Sequence, residues 1–202
     1  EAMYSKIKSP QAVGRPICGR LRLSSSGFTA VELLVTIAIL AVLAALAAPS
    51  FAQILEKWRI RQINEALQSS LYLARSEAIK RGGNVVVKKL PNNTNGCTTA
   101  TTTNRWDCGW IICDTTVNST CNPSGEILQR YDSPAPRKVE IARARGGETI
   151  QLDRWGAVSG TYAGFSITPT GGNTSSPSTL GVCMSSGGRI RTTDPANTPC
   201  SS

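Results

Sequence analysis

Between Phe28 and Ala48 the chain reads FTAVELLVTIAILAVLAALAA, 21 residues with one ionisable side chain, Glu32. A helix needs about 20 apolar residues to cross the hydrocarbon core of a bilayer, so this run predicts a membrane-spanning segment. A carboxylate there is costly, and one that is kept has a partner or a task. Residues 1–27 carry Lys6, Lys8, Arg15, Arg20 and Arg22 against Glu1 alone. The positive-inside rule then places them in the cytoplasm and the rest of the chain outside. A secretory signal peptide is the alternative, with cleavage near Ala45–Ser50. Its apolar region would be unusually long, Glu32 would be out of place in it, and the helical pattern does not stop at that point.

After Pro49 apolar residues recur at Ile60, Ile63, Leu67, Leu71, Ala74 and Ala78, in steps of three or four. That is one face of a helix. The pattern closes at Arg81-Gly82-Gly83, basic residues followed by glycine, as helix C-termini prefer. The expectation is one helix from about Phe28 to Arg81, apolar all round over 28–48 and amphipathic over 49–81, with a kink or loosening at Pro49. From Asn84 onward the signals are strands and turns, and 82–202 reads as one β-rich head. Strand candidates are Val85–Leu90, Gly109–Cys113, Ile127–Tyr131, Val139–Ala144, Thr149–Leu152, Ala163–Thr168, Leu180–Met184 and Arg189–Thr192. Short strands after one long helix make an α+β fold, with the amphipathic helix half packed on an antiparallel sheet.

The formal net charge is +9, and there is no histidine among the 202 residues. The basic excess suits an anionic partner without requiring one. The lack of histidine removes the commonest general base and metal ligand. No nucleophile elbow, phosphate-binding glycine loop or paired carboxylates stand out, so no enzyme, cofactor or small-molecule substrate is expected. Apart from Cys18, the cysteines are Cys97, Cys108, Cys113, Cys121, Cys183 and Cys200. An even number in Thr/Asn/Gly/Ser-rich surroundings beyond a membrane segment reads as disulfides in an oxidising compartment. A zinc site is the rival, but no C-x-x-C pair and no histidine support it, so no metal is expected. Nearness in sequence favours Cys97–Cys108, Cys113–Cys121 and Cys183–Cys200, although six cysteines allow fifteen pairings.

Residues Gly27-Phe28-Thr29-Ala30-Val31-Glu32-Leu33-Leu34, after a basic leader and before the apolar run and Pro49, resemble the class III leader site of type IV pilins and type II secretion pseudopilins. The stretch Leu73–Arg81 with Val85-Val86-Val87, then Gly109-Trp110-Ile111-Ile112, then Gly187–Arg191, is similar in order and content to the GspH/FimT group of minor pilins and pseudopilins. The resemblance implies a type IV pilin-like fold. It implies that a prepilin peptidase removes residues 1–27, cutting after Gly27, and that the new amine of Phe28 is methylated. Glu32 would then meet the N-terminal amine of a neighbouring subunit and set the register of assembly, the specifying use of a buried polar pair. The protein would wait in the inner membrane with a periplasmic head before joining a pilus at the cell surface, with other pilins as partners.

Within the DNA-uptake branch of that group, a G-R-x-R motif near the C-terminus is associated with DNA binding, and this chain has Gly188-Arg189-Ile190-Arg191. In a strand, Arg189 and Arg191 share a face about 7 Å apart, close to the phosphate spacing along one strand of nucleic acid. Arg143 and Arg145, with Arg137 and Lys138, would extend the basic surface. The same arginines read equally as a solvated strand face. Two functions therefore stand side by side: a minor pilin that binds DNA for natural transformation, and a structural minor pilin or pseudopilin that primes or caps a filament. Trp106, Trp110, Trp155 and Tyr162 read either as core or as stacking platforms.

Overall fold

The computed structural model describes residues 27–116, 120–121, 126–134, 138–198 and 200. Residues 1–26, including Cys18, and Arg137 lie outside the described residues. Helix α1 runs without interruption from Ala30 to Arg81, through Pro49. The chain divides into two compact units, Glu1–Ala45 and Leu46–Ser202.

In the first unit Thr29 caps the helix. Its hydroxyl accepts from the Glu32 backbone N–H at 3.2 Å, and its carbonyl accepts from Leu33 N at 3.1 Å. Thr29-x-x-Glu32 is therefore the sequence pattern of a capping box, and a carboxylate in the first turn also complements the helix dipole. Residues Ala30–Ala47 have a mean hydropathy of 2.6, and none of them is buried against the rest of the protein. This stretch is long and apolar enough to cross a membrane.

In the second unit α1 ends on a glycine cap. Gly82 and Gly83 take φ of +71° and +102°, and Gly83 N donates to the Ala78 carbonyl at 2.7 Å. Eight strands follow among the described residues: β1 (Val85–Lys89), β2 (Gly109–Asp114), β3 (Ile127–Asp132), β4 (Val139–Arg143), β5 (Thr149–Leu152), β6 (Ala163–Pro169), β7 (Leu180–Met184) and β8 (Ile190–Thr193). Each lies where the sequence places a strand, within a residue at either end. They form two four-stranded antiparallel sheets, β3-β2-β1-β5 and β4-β6-β7-β8, where the sequence reading expected one sheet. Alternation along single strands shows which faces are buried. It does not show that the chain changes sheet after β3, after β4 and after β5.

The helix face Ile60, Ile63, Leu67, Leu71, Ala74 and Ala78 is buried, each residue 3% exposed or less. It packs into one core with Val85, Val87, Trp110 and Ile112 of the first sheet and Ile141, Phe165, Val182 and Met184 of the second. A smaller core of Leu90, Cys97, Ala100, Cys108, Ile111, Cys113 and Cys121 covers the other face of the first sheet. Cys97–Cys108 and Cys113–Cys121 are disulfides, and Cys183–Cys200 is the third, the three pairs that nearness in sequence favours. The Thr/Asn-rich chain after β1 is held by these bonds and by a buried cation. Lys89 Nζ donates to the carbonyls of Ala100 and Thr102, with a Glu148 carboxylate oxygen at 3.9 Å. At the helix end, Arg81 pairs with Glu77 at 2.7 Å, with Asp114 of β2, and with Glu126 at 3.3 Å. The carboxyls of Glu77 and Asp114 are both held below the usual range. For Glu77 the first cause is the Arg81 hydrogen bond; for Asp114 it is the Thr116 hydroxyl, with Arg81 adding to it.

Leu71→Ala removes a fully buried side chain from the stripe on which both sheets rest. It should lower unfolding stability by about 2–5 kcal/mol, measured by denaturant titration of the chain in detergent. A change below that range would mean that the stripe is not the shared core.

Candidate nucleic-acid interface

The second sheet ends at β8, and its register sorts the side chains. Arg191 lies opposite Cys183, Ile190 opposite Met184, and Thr192 opposite Val182. Ile190 is buried in the main core, and the Thr192 hydroxyl accepts from Asn64 Nδ2 at 3.2 Å and Gln68 Nε2 at 2.5 Å. The helix-facing side is therefore set by Ile190 and Thr192. Period-two alternation turns Arg191 to the opposite face, beside the Cys183–Cys200 disulfide, and Arg189 with it. Both arginines are exposed, and among the described residues neither side chain has a carboxylate within ion-pair distance.

Arg189 precedes the strand and closes the β7–β8 turn. Its carbonyl accepts from Ser185 N at 2.9 Å, and its own N–H donates to the Ser185 hydroxyl at 3.1 Å. That turn is anchored on three sides. Val158 N donates to Ser186 O at 3.1 Å, Arg75 of the helix donates to Gly188 O at 2.7 Å, and Gly188 N donates to Ser185 O at 2.9 Å. Gly188 has a φ of +81°, and a Cβ there would lie 2.4 Å from the Gly156 carbonyl oxygen. Its glycine is thus required by the fold. The close approach that it permits is to Gly156 and Arg75, not to a ligand.

Arg189 and Arg191 both line a cleft of about 600 Å³ on the outer face of the sheet, with Gly160–Tyr162, Cys183–Ser186 and Cys200. Sequence reasoning did not find this cleft, because its walls come from the chain before β6, the β7–β8 turn and the C-terminal tail. The one signal for it was the pair of cysteines bracketing the arginine motif.

The second arginine pair is corrected by the structure. Arg143 is 7% exposed and lies at the end of β4, the opposite edge of the sheet from β8. Three strand spacings separate the two edges, roughly 14 Å. Its guanidinium donates to the Gly147 and Thr149 carbonyls at 2.8 and 2.6 Å and lies 5.9 Å from the centre of the Trp106 ring. Burial pushes its pKa down. Arg143 therefore ties the β4–β5 loop from inside and takes no part in an exposed basic surface. Arg145 is exposed but sits in the bend beyond β4, so the two do not share a strand face. Lys138 is exposed just before β4.

The aromatic residues divide. Trp106 meets Phe165 edge-on at 5.0 Å, and Trp110 stacks on Tyr131 at 4.3 Å, both tryptophans fully buried. Trp155 is 75% exposed, on a turn that the Asp153 carboxylate holds by accepting from Trp155 N and Ala157 N, each at 2.9 Å. Tyr162 is partly exposed in the cleft wall. All six described cysteines are in disulfides, and among the described residues no group of His, Cys, Asp or Glu is placed to hold a metal ion.

Residues 64–193 match the family described as Type II transport protein GspH. That span runs from mid-helix to the last residue of β8. Two crystal forms of the type IV minor pilin FimU of Pseudomonas aeruginosa strain PAO1 have a similar fold. One aligns with a TM-score of 0.50 at 19% identity, covering 70% of this chain and 98% of FimU. The other aligns with a TM-score of 0.52 at 20% identity, covering 70% and 93%. Among curated proteins none matches this chain.

Arg143→Ala should cost about 2 kcal/mol of stability, since it deletes charge-assisted hydrogen bonds in a buried setting, and should leave any affinity for anions unchanged. Denaturant unfolding together with a DNA titration checks both halves. Lost affinity at unchanged stability would return Arg143 to the surface set.

Proposed function

This chain belongs to the GspH family, and on that premise we propose that it is a minor pilin whose helix enters a type IV pilus and whose head binds DNA. The observation that carries the DNA reading is the placement of Arg189 and Arg191. They are two exposed cations, Arg191 on the outer face of edge strand β8 and Arg189 in the turn leading into it, without carboxylate partners among the described residues, at the wall of an open cleft. The disulfide and the anchored turn hold that strand in place before any ligand arrives, which lowers the ordering cost charged against binding. Two cations contacting phosphates give affinity without sequence preference, and the release of counterions makes it fall with salt.

At the other end, cleavage after Gly27 would free the amine of Phe28, to be methylated, and leave Glu32 one helical turn inside a membrane segment. Ala30–Ala47 anchors the protein in the inner membrane before assembly, with the head in the periplasm. In the filament, the Glu32 carboxylate pairs with the N-terminal amine of a neighbour. Each group is costly alone in an apolar core, so the pair specifies register. A type II secretion pseudopilin of the same family would share this assembly device, and the DNA interface is what separates the two readings.

The full chain in detergent should bind duplex DNA at low salt, and the affinity should drop as salt rises. Arg189→Ala/Arg191→Ala should reduce the salt slope by about 2, one for each phosphate contact. No binding at low salt, or a double variant with an unchanged slope, would leave the structural pilin reading standing. For assembly, Glu32→Ala and Glu32→Gln should both insert and be processed yet fail to enter filaments. Gln keeps the capping-box pattern while removing the charge, so filaments containing the Gln variant would assign Glu32 to helix capping instead.

A further inference from the structure

We propose that the cleft beside Arg189 and Arg191 takes single-stranded DNA, with an unpaired base stacked on Tyr162 and the flanking phosphates on the two arginines. This rests on the DNA reading of the preceding subsection and narrows its substrate class.

The shape of the site is the first argument. The arginines line the wall of a concavity of about 600 Å³, inside the range of about 300–1,000 Å³ of sites that enclose part of a ligand. A duplex keeps its bases stacked inside a wide cylinder and exposes only their edges in the grooves. It would touch the rim of such a cleft and leave its interior empty. A single strand can turn a base inward while its backbone stays at the mouth.

The chemistry of the wall is the second. Tyr162 supplies an aromatic face, Ser185 and Ser186 supply hydroxyls, and the Cys183–Cys200 disulfide supplies a polarizable floor. Aromatic faces interleaved with cations are how proteins hold single strands without reading sequence. A site that only neutralised duplex phosphates would need the arginines and nothing else.

The ring is also held. A Cβ on Gly164 would lie 3.2 Å from Tyr162 Cε2 and 3.1 Å from the Cβ of Cys200, so the missing side chain leaves room for the ring to lie close to the β6 backbone beside the disulfide. Gly164 is paired with Cys183 across β6 and β7, and Cys183 with Arg191 across β7 and β8. One row across the sheet thus fixes the floor under the tyrosine and the position of the arginine together.

The test is a fluorescence-anisotropy titration of the full chain in detergent with oligothymidylate and with a duplex of equal length, at one low salt concentration. The single strand should bind at least about fivefold more tightly, the low end of what stacking one base gives. Tyr162→Leu, which keeps the bulk without the π-face, should abolish that preference, and Tyr162→Phe should keep it. Photo-crosslinking of the unaltered protein to bromodeoxyuridine-containing single strand should map to Tyr162, a readout that needs no variant to fold. Equal or tighter binding of the duplex, or a crosslink elsewhere with Tyr162→Leu unchanged, would overturn this inference and leave the DNA reading in place. Failure of both nucleic acids to bind would remove the DNA reading and this inference with it.

Discussion

The head depends on one stripe of the helix. Ile60, Ile63, Leu67, Leu71, Ala74 and Ala78 are shared by the two sheets, which have no hydrogen-bonded strand pair between them. Burial of apolar area is non-directional, so the stripe explains why two sheets collapse on one helix without saying how they are aligned. The Arg81 network then fixes the end of the helix to β2. It joins Glu77 on the helix, Asp114 on β2 and Glu126 just before β3, so that one guanidinium reaches three stretches of chain.

Alignment of the second sheet comes from a polar row beside the stripe. Asn64, Gln68, Tyr72 and Arg75 follow one another at helical spacing and bond in order to Thr192, Thr192, Ile190 and Gly188. The helix climbs as β8 descends, and the row zips them together. Strand β8 is thereby registered on residues 64–75 of the helix. Movement of the helix by one residue would misalign every bond in the row, so the arginines stay fixed relative to α1.

Much of this was legible in the sequence, because the signals were local. Steps of three and four gave the buried helix face residue by residue, and β-branched runs between turn clusters gave all eight strands. Nearness favours the disulfide pairs that form, each closing a short loop, but among fifteen pairings only the structure fixes them. What escaped reading were the features made by distant parts of the chain. Arg143 looked like Arg189, a basic residue in a strand candidate, and only its neighbours across space distinguish them: Trp106 beneath it and the Gly147 and Thr149 carbonyls around it. Gly188 carried a motif, but its conformation and its contact with Gly156 answer to the fold. Glu32 likewise carries a local task beside the one that the resemblance implies, since it stands at the third helical position behind the Thr29 cap.

The polar row also bears on what β8 can recognise. The last strand of a sheet offers its free backbone groups to any passing strand, and proteins with such edges cover or charge them. The Arg189 carbonyl is turned toward β7, where it accepts from Ser185. By alternation those of Gly188 and Ile190 face away from the sheet, and these are the carbonyls that Arg75 and Tyr72 occupy. The helix therefore takes two of the edge acceptors that an added strand would use. The side chains on the outer face remain available, and at this end of the sheet they are two arginines over a disulfide. A partner extending the sheet would have to displace the contacts from Arg75 and Tyr72. The outer face stays open to partners that bind by charge.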